Sequence, residues 1–142
     1  ILNRPTGKML GDLDKQFQVV EFADVPVFEG GPVEKEKLIV AGWEWLDSPS
    51  SFKLYFGIDL EKAKFLRDEN PNIKLACFLG HSGWSPGQLE SELDDDAWLT
   101  HSLDYDLFTK MDKENHIWKK IVGSMSDELR LLADAPENPS KN

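Results

Sequence analysis

The stretch that most constrains this chain runs from Ile73 to Leu93. Residues 73–79 are apolar except for Lys74, and Pro71 and Gly80 bound the run. A short apolar run with that punctuation predicts a strand buried on both faces. Ser85-Pro86-Gly87-Gln88 then predicts a helix start, with Ser85 as N-cap, Pro86 at the first helical position and Gln88 closing a capping box. Leu89 and Leu93, four apart, predict an inward stripe, leaving Glu90, Ser91, Glu92 and Asp94 toward water. Between strand and helix lies Gly80-His81-Ser82-Gly83-Trp84. Backbone N–H groups left free at such a junction make the loop a candidate cradle for a small anion. The plainer reading is that both glycines let the chain turn tightly beside a packed Trp84.

Better-known chemistries fit this loop poorly. No Gly-Lys-Ser/Thr follows, so it is not a Walker loop, and it is not G-x-G-x-x-G. A nucleophile elbow needs glycine two before and two after its serine. Gly80 meets the first condition for Ser82, but Trp84 occupies the second position. His81 adjoins Ser82 in sequence, which does not make it a base.

Along the chain, residues 6–13 predict a turn and one helical turn, because two glycines oppose a longer helix. Residues 16–22 alternate as a strand would, and residues 25–28 form a short extended piece whose Pro26 marks an edge or a strand start. Glu29-Gly30-Gly31-Pro32-Val33 is a turn, and the bare backbone of Gly30 and Gly31 is a second candidate for close approach by a ligand. Residues 37–41 predict a strand ending at Gly42. Beyond it, Trp43 and Trp45 point one way, either as a stacking surface for a base or sugar or as cover for a core edge. Phe52, Leu54 and Phe56 predict the buried face of a further strand. Asp59 caps a helix through Glu69 with Ala63 and Leu66 inward, and Asn70-Pro71 stops it. That unit, Phe52 to Leu79, reads as a crossover joining parallel strands.

Past the central helix, Asp94-Asp95-Asp96 opposes the helix dipole and should end the helix there. Residues 98–101 predict another strand. His101, Asp104 and Asp106 lack the further ligands a metal site needs. A helix is expected over 113–122 with Ile117, Ile121 and Val122 on its apolar side. Ser124 or Ser126 caps a last short helix carrying Leu129 and Leu132, and 136–142 reads as a mobile tail.

Composition sets the outer bounds. The 142 residues are 40% hydrophobic and include five tryptophans, enough for one domain, expected over 1–135. No apolar run approaches the ~18 residues of a membrane helix. Cys77 is the only cysteine, so no internal disulfide forms, and a cytoplasmic address is expected. The net charge of −10 works against direct nucleic-acid binding, which needs clustered Lys and Arg.

Gly80-x-x-Gly83-Trp84-x-x-Gly87-Gln88-Leu89-Glu90-x-Glu92-Leu93, followed by Ala97-Trp98-Leu99, resembles the signature of the bacterial YqgE/AlgH family. Further matches are Asn3-Arg4-Pro5, Gly30-Gly31-Pro32-Val33, Trp118 and Gly123. His81 and Ser82 depart from the family's usual Tyr and Ala. The family-typical set is therefore the glycines, Trp84, Gln88 and Glu90. The resemblance implies a compact β-core, partly barrel-like, surrounded by helices. It also implies roughly thirty further residues before Ile1, so this chain is expected to be a piece of a longer one. Members of the family are often labelled transcriptional regulators.

The expected fold is therefore one α+β domain of about six short strands and three or four helices. The expected function is a non-enzymatic regulatory or binding protein. Its candidate ligand residues are Gly80, Gly83, Trp84, Gly87, Gln88, Glu90, Gly30 and Gly31, facing a small anion or a protein partner. No cofactor, metal or catalytic residue is expected. The alternatives are a transcriptional regulator acting through a partner, and an enzyme with Glu90 as its base.

Overall fold

Strand β5, the apolar run at the centre of the sequence, is also central in space. The computed structural model describes residues 4–17, 21–46, 51–102, 117–127, 129 and 131. Its elements are β1 (Pro5–Met9), α1 (Leu10–Leu13), a 3-10 turn (Lys15–Phe17), β2 (Pro26–Glu29), β3 (Val33–Trp45), β4 (Phe52–Ile58), α2 (Leu60–Glu69), β5 (Lys74–His81), α3 (Gln88–Asp94) and α4 (Ile117–Met125). The chain divides into two compact units, Ile1–Thr100 and His101–Asn142. The sheet and the candidate sites belong to the first.

The five strands form one mixed sheet in the order β1-β2-β5-β3-β4. β2 runs parallel to β5, and the other pairs are antiparallel. The α+β class holds. The implied barrel character does not extend to closure among the described residues, because β1 and β4 are both edges. β4 and β5 run in the same direction, as a crossover requires, yet they are not paired. β3 lies between them, antiparallel to each.

One face of the sheet carries Val27, Val40, Leu75 and Cys77, packed with Leu10, Phe22, Val25 and Ala63 into the main core. Helix α2 forms on that face for local reasons. Asp59 Oδ1 accepts the Lys62 N–H at 2.7 Å, Ala63 and Leu66 are buried, and the Asn70 N–H closes on Leu66 O at 2.9 Å. Cys77 is fully buried there, and burial pushes its thiol up to about 12, so it is no nucleophile. On the opposite face Phe28 stacks on its paired neighbour Phe78 with ring centroids 5.5 Å apart, and Ala41, Trp43 and Ala76 are buried. Trp43 is thus a core residue. Trp45, half-buried, packs on Phe52 at 4.8 Å, so these indoles cover a core edge.

Several expectations are corrected. Residues 6–9 belong to β1, where Gly7 in a left-handed conformation accompanies an irregular register and Thr6 Oγ1 donates to Val27 O at 2.8 Å. Residues 15–17 form a 3-10 turn and 21–24 a turn, and no described strand pairs with them, while 18–20 lie outside the described residues. Strand β3 starts at Val33 and continues through Gly42, since β5 supplies ladder partners as far as Lys74 and His81. Leu54 and Phe56 are exposed, because β4 is an edge strand at this end of the sheet. Residues 98–101 form no strand. In the second unit, Ser126 Oγ accepts the Leu129 N–H at 3.1 Å, as its cap reading requires. Residues 1–3, 104, 106, 113–116, 132 and the tail 136–142 lie outside the described residues.

One buried-edge cluster sets a pH response. Glu44, whose side chain is 11% exposed, accepts from Tyr55 Oη at 2.8 Å and from Asn70 Nδ2, with Lys53 Nζ 3.9 Å away. The Tyr55 hydrogen bond, then that of Asn70, holds its carboxyl below the ordinary value of 4.5, against the opposing effect of desolvation. A depressed native pKa stabilises the fold above the unfolded value, and the gain is lost as pH falls through the native value. Glu44→Gln is expected to cost about 1–2 kcal/mol at neutral pH. It should also flatten the fall in urea-unfolding free energy on the acid side of pH 4.5.

Candidate functional site

The site is built at the end of β5. Gly80 takes φ 71° and turns the chain into the loop 82–87. Its surroundings explain the glycine. A Cβ there would lie 2.6 Å from Gly31 O and 2.8 Å from Val33 O. A Cβ on Gly30 would lie 2.1 Å from Gly80 O, and one on Gly31 would lie 2.3 Å from the His81 carbonyl. Gly30, Gly31 and Gly80 therefore interlock backbone against backbone. Gly83 and Gly87 differ, having open space or only distant contact where a Cβ would stand.

Ser85-Pro86-Gly87-Gln88 closes a turn through Gln88 N–H to Ser85 O at 3.0 Å, with Gly87 at φ 80°, ψ −9°. Proline second and a left-handed glycine third make a type II turn. Helix α3 therefore starts at Gln88 and not at Pro86, with Gly87 at the N-cap position. Half of the expected capping box exists. Gln88 Oε1 accepts the Ser85 N–H at 3.0 Å, but the Ser85 hydroxyl caps nothing in α3.

Helix α3 ends as the acidic run predicts, by an identifiable device. The Ala97 N–H bonds Glu92 O at 2.9 Å, and the Asp96 N–H bonds Leu93 O at 3.1 Å. Asp96 sits at φ 55°. This pair of bonds around a left-handed residue is a Schellman motif. Asp96→Gly is expected to stabilise the protein by about 1 kcal/mol, since glycine carries no Cβ penalty there and the change removes an anion from the helix C-terminus. A small rise in melting temperature would show it.

The Schellman turn throws the chain back so that Trp98 meets Trp84, ring centroids 5.8 Å apart and inclined at 69°. Both indoles donate to one carboxylate oxygen, Trp84 Nε1 to Glu92 Oε2 at 3.0 Å and Trp98 Nε1 to the same atom at 2.6 Å. Gln88 Nε2 donates to Glu92 Oε1 at 2.8 Å. These hydrogen bonds, that of Trp98 foremost, hold the Glu92 carboxyl below the usual carboxylate range. Glu92 is thus the hub of the site, and reading the sequence for the helix's water-facing side missed it. The signal was present as Gln88 and Glu92 at i,i+4 with a tryptophan on each side of the helix.

Glu90 is exposed on the first turn of α3 and takes part in no hydrogen bond among the described residues. Leu89 and Leu93 do not face a core, since α3 buries no residue. Trp84, Leu89, Leu93, Trp98 and Leu99 are between 36% and 58% exposed. Acidic residues rim them, at Glu90 and Asp94–Asp96. His81 Nδ1 stands 3.8 Å from Glu34 Oε2, and His101 Nδ1 lies 2.7 Å from Ser102 O. No group of three or more metal-ligating side chains occurs among the described residues, and no described helix is long and apolar enough to cross a membrane.

An open mixed sheet whose central strand leads through a glycine turn into a two-tryptophan, one-carboxylate cluster defines the class of protein. The AlgH-like family profile (DUF179) matches residues 1–130, and the chain belongs to that family. It is 29% identical to a UPF0301 protein of Thioalkalivibrio sulfidiphilus over 94% of this chain and 75% of the relative. It is 31% identical to one of Chlorobium limicola over 100% of this chain and 77% of the relative. Its fold is similar to the solution structure of the AlgH protein from Pseudomonas aeruginosa. The TM-score is 0.58 at 24% identity, covering 96% of this chain and 76% of that one.

Proposed function

We propose that this chain is a non-enzymatic binding protein whose partner is another protein, seated on the platform of Trp84, Trp98, Leu89 and Leu93. The observation that carries the reading is that α3 and its flanks expose a run of large apolar side chains while burying none in α3. A helix with apolar residues on an unburied face is a poor use of those residues unless something covers it. Tryptophans held rigid by their own N–H groups lose little entropy on being covered, which suits them as anchors. The acidic rim favours a partner surface that is apolar at its centre and basic at its border.

The same rim disfavours the small-anion reading of this loop. One of its backbone donors, the Ser85 N–H, is taken by Gln88, and Glu92 accepts from both indoles. Phosphate backbones meet the same repulsion, so a role in transcription would run through the partner and not through DNA. A cytoplasmic address belongs to this proposal, supported by the single free thiol of Cys77.

A photo-crosslinking residue at Leu93, with the same residue at exposed Phe65 on α2 as control, tests the reading in bacterial cells. The expected result is a discrete protein adduct at Leu93 alone. Once purified, its partner should shift the indole N–H resonances of Trp84 and Trp98. Adducts of equal yield at both positions, or shifts elsewhere on the protein, would overturn it.

A further inference from the structure

A second feature stands apart from the tryptophan platform. An open pocket of about 230 Å³ is lined by Arg4, Glu29, Gly31, Pro32 and Lys35. The fold assembles it from three segments. Arg4 precedes β1 and is fixed there by its carbonyl, which accepts the Glu29 N–H at 2.9 Å. Glu29 ends β2, Gly31 and Pro32 form the turn locked against His81 and Ser82, and Lys35 stands near the start of β3.

The grouping of charges gives the pocket its chemistry. The chain carries 26 acids against 16 Lys and Arg, so two cations gathered at one hollow run against its overall charge. Elsewhere in this unit Lys37, Lys53, Lys64 and Arg67 find acids, while Lys8, Lys15, Lys62 and Lys74 form no ion pair among the described residues. Lys37 pairs with Glu34 at 3.2 Å, Lys64 with Glu21 at 2.6 Å, and Arg67 with Asp24 at 3.5 Å. Arg4 and Lys35 form no ion pair among the described residues, and Glu29, lining the same pocket, pairs with neither. The nearby acid Glu34 is occupied by Lys37. Two cations and one carboxylate thus line one hollow with their hydrogen-bonding capacity unspent.

We infer that this pocket binds a small organic anion that also carries a hydroxyl or ammonium donor beside its charged group. Arg4 supplies a planar fork that matches a carboxylate or phosphate, and Lys35 adds a second point charge. Glu29 can only accept, and a bare anion would meet it with repulsion. A ligand with a neighbouring donor turns that repulsion into a hydrogen bond. The volume is below the ~300 Å³ of a drug-sized site, so the ligand is small. The carboxylate or phosphate source is settled by titration. This pocket is independent of the partner platform, and either can fail without the other.

The test is amide NMR titration of the folded chain with glycolate, glycerol phosphate and sulfate. Shifts confined to residues 29–35 and the Arg4 side chain, saturating near about 1 mM with one of the two hydroxylated anions, are expected. The tighter of the two identifies the source. Arg4→Gln should weaken binding about tenfold or more, with an unchanged melting temperature. Glu29→Gln gives the signature of the built site. It should weaken the hydroxylated anion yet strengthen sulfate, because it exchanges a charged acceptor for a weaker neutral amide oxygen in one and removes a repulsion from the other. Equal weak shifts for all three anions, spread over other surface lysines, would overturn the proposal. So would affinities indifferent to both substitutions.

Discussion

Gly30→Ala should leave little folded protein at 37 °C, whereas Gly83→Ala should fold almost as well as the parent. The two glycines flank the same sites and look alike in sequence. At Gly30 a new Cβ would stand 2.1 Å from Gly80 O and 2.9 Å from Phe78 Cβ. Neither neighbour can yield easily. The first is backbone, and the second belongs to the buried stack of Phe28 on Phe78. Either β2 separates from β5 or the turn at Gly80 rearranges. A cost of about 3 kcal/mol or more is expected, a large share of a small domain's stability. At Gly83 the nearest atoms are those of the His81 ring, 3.8 Å or more away. Alanine fits there, within about 0.5 kcal/mol. Urea melts of the two variants check the pair. A Gly30→Ala protein of parental stability would show that the interlock of Gly30, Gly31 and Gly80 is loose.

Trp84→Ala should cost about 2 kcal/mol in partner binding, roughly thirtyfold in Kd, while changing unfolding free energy by less than about 1 kcal/mol. The split follows from where Trp84 sits. It is partly exposed, it packs on Trp98, and its N–H serves Glu92. Removing it deletes apolar area offered to a partner and frees Trp98 to move. It opens no cavity in the main core, whose members are elsewhere. Trp84→Phe separates the two contributions, because it keeps an aromatic surface and removes the donor. Retained binding in Trp84→Phe would assign the role to the ring. Loss in both variants would assign it to the Glu92 network. Calorimetry against the crosslinked partner reads all three proteins. A Trp84→Ala protein with parental Kd would remove the platform from the interface.

What the sequence made legible was what depends on neighbours along the chain. Helix α2 is specified by Asp59 at one end, Asn70-Pro71 at the other and Ala63 with Leu66 between, and each of these acts within one or two turns. The same holds for β5, whose apolar run needs no knowledge of its partners. The sequence predicts β3 too short at its start because residues 33–36 carry no apolar pattern of their own. They are strand because β5 lies alongside. Residues 16, 17, 21 and 22 show the opposite error, an alternating pattern for which no described strand is a partner. Leu89 and Leu93 were read as inward because they are leucines four apart, yet spacing identifies a stripe and not what faces it. The family resemblance contains the loop and both tryptophans of this cluster, but its typical set names Glu90 and not Glu92. That residue's role exists only once the turn at Asp96 returns Trp98 to it. The glycines split for the same reason. Nothing local to Gly30 or Gly31 says that Gly80 and His81 will be pressed against them.

The parallel pairing of β2 with β5 has a consequence for how the protein is made. Val27 meets Cys77 across that ladder, and Phe28 meets Phe78. At ~5–20 residues per second, a ribosome that has finished β2 needs about 3–10 s to deliver its partner. During that interval β2 has, among the described strands, only β1 beside it, and a lone two-stranded ribbon is at best marginally stable in water. Val25, Val27 and Phe28, all destined for full burial, wait in the open meanwhile. The β3–β4 hairpin is complete before β5 emerges, so β5 arrives with one neighbour already assembled and draws the older pair in on its other side. The strands made before β3 are sheltered after it, and this part of the nascent chain is most exposed to aggregation just before residue 78 is added.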